Sequence, residues 1–331
     1  MISLNSCNSC VYHGMPIGHR KGRLPQVTEI TTTLNDLAAG IPAALALLTP
    51  YWEGVKDFAN SGFTASLAGA FAGAWAAQRI AERVKLREEL QKEIRDINAG
   101  IVLALTTANL AMALKKQHVR ALKKDHDSDC KKHKEYVKKV ADGLALSPLE
   151  LAPNLLSLQV LSPPVAPLQE IVFNRISTAG RAVSVVTTVA DAIENLNHAI
   201  TKRNELIEKI KEDNLPKGAT AIGMYLGLPY GDGQINQEFG TSVGAIALYT
   251  DDLIFFSLKL SEDLREHGLL VAGKHKKKLG GDTPAISQID LTIAIRDDLV
   301  PKDEDYEKWS CGFQVAPVKK LAWWQRPNKV A

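Results

Sequence analysis

At 331 residues, with 45% hydrophobic and 23% charged side chains, the chain has the length and composition of a folded protein with a substantial core, which excludes wholesale disorder. A formal net charge of +3 is too small to argue for a nucleic-acid partner. The 4 cysteines, Cys7, Cys10, Cys130 and Cys311, lack the dense spacing of a secreted disulfide scaffold, and no apolar segment with a cleavage site opens the chain.

Residues 1–57 read as an irregular lead followed by short helices, because Gly40, Pro42 and Pro50 limit any helix there. Residues 58–78 carry no charged side chain. As a helix rising about 1.5 Å per residue, that stretch approaches the thickness of a bilayer's hydrocarbon core, and it is a transmembrane candidate although Ala, Gly, Ser and Thr supply little transfer energy. Arg79, Arg83, Lys85 and Arg87 follow it while Glu53, Lys56 and Asp57 precede it, an asymmetry that places the C-terminal side in the cytoplasm. The location expected is therefore the inner (cytoplasmic) membrane, crossed once. Ala65, Gly69, Gly73 and Ala77 recur every fourth residue, a stripe that lets two helices approach closely, whether within one chain or between two copies.

Residues 79–142 predict one long amphipathic helix, since Leu90, Ile94, Ile97, Ile101, Leu105, Ala108 and Met112 step by three or four. The uncharged residues 97–114 invite a second span, but Asn98, Thr106, Thr107 and Asn109 favour a helix buried in protein. Gly143, Pro148, Pro153, Pro163, Pro164 and Pro167 make residues 143–167 a long connection at which the chain can reverse.

Two further long helices are expected within residues 168–280. The first follows a heptad seam, Val172, Ile176, Ala179, Val183, Val186, Ala190, Ile193, Asn197, Ile200, Asn204 and Ile207, in which Asn197 and Asn204 would fix the register of a partner helix. The second seam is Ile235, Phe239, Ser242, Ile246, Tyr249, Leu253, Phe256 and Leu260, with Asp232 placed to cap it and Gly268 to stop it. Residues 281–331 hold two short helical signals, at Thr283-Pro284 and at Asp303, before a tail with Trp323 and Trp324. The fold class expected is all-α: an N-terminal transmembrane helix continuing into a long antiparallel, coiled-coil-like helical bundle with short C-terminal helices.

Chemistry-bearing clusters are few. His126, Cys130 and His133 share one helix face and could hold a metal, but the dense run of Lys and Arg over residues 115–139 opposes a divalent cation and favours a solvated face. That basic run lacks stacking aromatics and is interleaved with acids, which argues against nucleic acid. Cys7, Cys10, His13 and His19 are too tightly spaced for a zinc finger. Asp251-Asp252 reads as a surface pair. No phosphate loop, nucleophile elbow, zinc-protease or calcium-loop motif is present, so no cofactor, no small-molecule substrate and no catalysis are expected.

The run from Gly69 to Arg83, an Ala/Gly span passing straight into a charged helix, resembles a loose group of uncharacterised bacterial single-pass membrane proteins over residues 60–120. That resemblance implies a location and a bacterial origin and no activity. The function expected is a membrane-anchored scaffold or sensor whose partners are the bilayer and either a protein or further copies of itself. The alternatives are a pore-forming effector assembled through the small-residue helix and a soluble metal- or nucleic-acid-binding helical protein.

Overall fold

The computed structural model describes residues 62–144, 147–178 and 180–312. The short helices expected before residue 58, the Cys7, Cys10, His13 and His19 group, residues 58–61 and the Trp323-Trp324 tail lie outside the described residues. Two compact units divide the chain, residues 1–79 and residues 80–331. The described structure is mostly helical, as the composition and periodicity predict.

Helix α1 is Gly62–Leu114, a long run without proline. A π-turn, Lys115–Val119, joins it to α2, Arg120–Ala141, and the flanking Leu114 and Arg120 both keep right-handed helical dihedrals, so the turn widens the helix without breaking it. Within the second unit Leu90, Ile94, Ile97, Ile101, Ala104, Ala108 and Ala111 form a buried stripe at helical spacing. The uncharged residues 97–114 are thus core helix.

A short helix α3, Val165–Glu170, runs into a second π-turn, Ile171–Arg175, and stops at Ile176, whose backbone is extended. Gly180, with φ of +73°, turns the chain into α4, Arg181–Lys211. The seam expected from Val172 onward is therefore interrupted between Ile176 and Arg181. Helix α4 buries Ala182, Val185, Val189, Ala192, Leu196, Ala199, Arg203, Leu206 and Ile210, one position before the predicted seam, together with Val186, Ile200 and Ile207 of the seam itself. A 3.6-residue period leaves two adjacent stripes nearly equivalent, and the packing partners decide how much of each is covered.

After α5, Ala221–Leu226, the strands β1, Pro229–Tyr230, and β2, Gln234–Ile235, pair antiparallel about Gly231 and Gly233, both at positive φ. Helix α6, Glu238–Leu279, starts where Asn236 Oδ1 accepts the Glu238 N–H at 2.8 Å, so Asp232 caps nothing there. Gly268 does not end it either. A Cβ there would lie 3.0 Å from Ile97 and from Ile286, so glycine permits close contact instead of a stop. Short helices α7, Thr292–Arg296, and α8, Glu307–Cys311, the latter preceded by a 3-10 turn at Asp303–Tyr306, complete the described chain. No helix opens at Thr283-Pro284, where residues 281–291 are irregular.

Contacts fix the directions. Arg181 pairs with Asp263 while Arg203 lies 5.3 Å over the Phe239 ring, so α4 and α6 run antiparallel. Ile97 meets Gly268, Gly100 meets Leu264 and Lys115 pairs with Asp251 at 2.7 Å, so α6 also opposes the helix from α1 through α2. The first long helix and α4 are consequently parallel. The connection between them does not make a simple reversal but travels back along the second unit before α4 begins.

Candidate functional site

That returning connection is held by side chains of α4. Residues 147–163 have neither helix nor strand pairing, and Pro148, Pro153 and Pro163 withhold the N–H groups either would need. Asn204 accepts the Leu158 N–H at 3.0 Å and donates to the Leu158 carbonyl at 2.7 Å. Asn197 does the same for Leu161, at 2.9 and 2.8 Å. Between these amides Arg203 donates from its two terminal nitrogens to the carbonyls of Leu156 and Asn154, each at 2.8 Å.

Spacing explains the fit. Seven helical residues rise about 10.5 Å, and three residues of extended chain span roughly 10 Å, so amides at 197 and 204 meet main-chain groups at 161 and 158 in register. The two asparagines that the sequence marks as buried amides therefore bind an extended segment of their own chain, and no helix register is set by them. Asn98 clasps the other irregular segment in a similar way: it donates to the Ala285 carbonyl and accepts the Ser287 N–H, both at 2.9 Å.

Arg203 is the residue that sequence reasoning missed, because it sits inside the charged run after Lys202. Its register in the stripe Ala192, Leu196, Ala199, Arg203, Leu206 was the available signal. It is 0% exposed, has carbonyls and no carboxylate as hydrogen-bond partners, and leaves its Nε without one. Burial pushes its guanidinium down to about 10, and the nearby Tyr225 opposes that shift.

The three expected metal residues are placed differently from one another. His126 is buried, its Nε2 3.3 Å from the Tyr225 carbonyl and its ring set against Tyr225 and Phe239. Cys130 Sγ is 3.9 Å from Nδ1 and 3.7 Å from Nε2, nearly equidistant and so on neither nitrogen's lone-pair axis. Burial, reinforced by Asp127, holds the Cys130 thiol above its ordinary range. His133 is half-buried and joins neither. Among the described residues no three His, Cys, Asp or Glu side chains come together as a metal set. The solvated face expected around His126 is instead partly core: Asp129 is also buried, accepting from the Tyr225 hydroxyl at 3.1 Å.

In the first unit, Gly69 and Gly73 have nothing within 4 Å of where a Cβ would stand. Ala77 is exposed, and the side chain of Ala65 lies outside the described residues. Leu67, Phe71 and Trp75 are 45%, 70% and 63% exposed, and Arg79 sits 5.1 Å over the Trp75 ring. The helix over Gly69–Ala141 is long and apolar enough to cross a membrane by length and composition, but the stretch that qualifies is 50% buried and so is not the exposed run before Arg79. Comparison of the chain with protein-family models, with curated proteins and with solved structures found no match.

Proposed function

We propose that the chain is a membrane-anchored helical scaffold that acts by binding protein, either a partner or further copies of itself, and performs no catalysis. One observation carries this reading: the described part of the uncharged segment 58–78 exposes Leu67, Phe71 and Trp75, whereas the uncharged residues 97–114 bury Ile97, Ile101, Met112 and Leu114 in the core and expose only Val102 and Leu110 among their large apolar side chains. An exposed row of large apolar side chains on a helix is costly in water, and in hydrocarbon it is the expected state. Trp75 and Arg79 are the residue types that settle at a membrane–water boundary. In this reading the three long helices, α6 antiparallel to the other two, form a bundle on the cytoplasmic side, and the open stripe of Gly69 and Gly73 is where two anchors meet.

The test is fractionation of cells expressing the intact chain, followed by an alkaline wash. The chain is expected to remain in the membrane pellet, and Phe71→Lys combined with Trp75→Lys is expected to release it. Recovery of the unaltered chain in the soluble fraction would contradict the reading.

A further inference from the structure

We propose that the α4 face bearing Asn197, Arg203 and Asn204 is an exchangeable groove for an extended, uncharged, leucine-bearing segment of a partner protein, occupied in cis by residues 147–163 until a partner displaces them. The inference rests on the reading of the chain as a protein-binding scaffold and is independent of the anchor.

Three observations carry it. First, α4 addresses the strap almost wholly through main-chain groups: the N–H and carbonyl of Leu158 and Leu161, and the carbonyls of Asn154 and Leu156. Main-chain recognition accepts any segment that can lie extended, and side-chain pockets then choose among such segments. Here the selecting side chain is Leu158, 6% exposed, and the occupant carries no charge from residue 151 to 169.

Second, Arg203 is a poor choice for mere filling. A fully buried guanidinium with carbonyls and the Phe239 ring for neighbours, no carboxylate and Nε unpartnered, is less favourable than an apolar residue of similar volume at the same place. Its forked donors are suited to a peptide backbone, and the open Nε leaves one donor for a partner's carbonyl.

Third, the strap is held mainly by hydrogen bonds from α4, with Leu158 buried and Leu155 and Leu161 half-buried as its apolar contacts. It has no helical or strand pairing of its own, and Leu156 and Val160 stand 57% and 47% exposed. Segments with few buried apolar contacts open at lower free energy than the helices beneath them. The covalent tether sets an effective concentration of order millimolar, so a partner must match the strap's chemistry to compete.

The experiment uses the full chain in detergent micelles and a fluorescein-labelled peptide with the sequence of residues 150–163, followed by anisotropy. Leu158→Asp with Leu161→Asp, which disables the cis strap and leaves α4 intact, is expected to raise peptide affinity at least tenfold over the unaltered chain. Adding Asn197→Ala and Asn204→Ala is expected to abolish that gain. No gain in a strap variant of unchanged helicity overturns the inference. Dimers of the unaltered chain that the strap variant loses, without peptide binding, would make the occupant a second copy's strap and also overturn it.

Should the strap variant fail to fold, hydrogen exchange in the unaltered chain decides. The Leu158 and Leu161 amides are expected to exchange at least tenfold faster than those of Leu196 and Ile200, and equal protection overturns the proposal. A chain that pellets with membranes yet binds no peptide loses this inference alone, whereas a soluble chain that binds the peptide loses only the anchor.

Discussion

Asn204 makes both of its hydrogen bonds to one residue of an irregular segment, so its amide does for Leu158 what a neighbouring strand would do. Removing it leaves a partly buried N–H and carbonyl without partners. Asn204→Ala is expected to lower the unfolding free energy by about 1–3 kcal/mol, read from urea denaturation. A change below about 0.5 kcal/mol, the size of a neutral surface substitution, would mean that water replaces the amide at no cost.

Asn197 and Asn204 were singled out by their seam positions, and the structure half-buries both, but the identity of their partner was not legible. Heptad reasoning offers another helix as the partner. Only the parallel course of the first long helix and α4, which brings residues 147–163 back along α4, supplies an extended chain instead. Arg203 was hidden for a different reason, since a cation beside Lys202 and Glu205 looks like solvated surface until the stripe is placed.

Helix α6 shows how far periodicity carries at the scale of an element. Of the seam named from spacing alone, Phe239, Ser242, Ile246, Leu253, Phe256 and Leu260 are buried and Tyr249 is half-buried, while Ile235 lies on β2 before the helix and is exposed. The ends of the helix were not legible. Asn236 displaces Asp232 as the N-terminal partner, and Gly268 lies well inside the helix because its missing Cβ admits Ile97 and Ile286. A glycine signals an end only when the chain needs a left-handed turn there; Gly280, with φ of +66°, is that residue for α6.

Opposite effects are expected at two glycines of this one helix. Gly268→Val forces branched carbon against Ile97 and Ile286 and is expected to destabilise by about 1–3 kcal/mol. Gly244 has nothing within 4 Å of its Cβ position, so Gly244→Ala is expected to stabilise by up to about 1 kcal/mol. Thermal unfolding of the two variants checks the pair, and a shared sign would contradict the assignment of Gly268 to a close helix contact.

For the whole molecule, the distinction that matters is between two uncharged helical stretches. Residues 97–114 keep Asn98 and Thr107 within protein: Asn98 clasps Ala285 and Ser287, and Thr107 bonds back to the Leu103 carbonyl at 3.0 Å. These polar residues are why the sequence reading assigned that stretch to protein and not to lipid. Within residues 58–78 the described large apolar side chains are exposed, and that stretch is the one proposed to enter the bilayer.

Sedimentation of the intact chain, purified with and without detergent, tests that placement most directly. The account predicts heterogeneous aggregates in plain buffer and a single species once detergent or a lipid nanodisc covers Leu67, Phe71 and Trp75. A monodisperse species in buffer alone would contradict it.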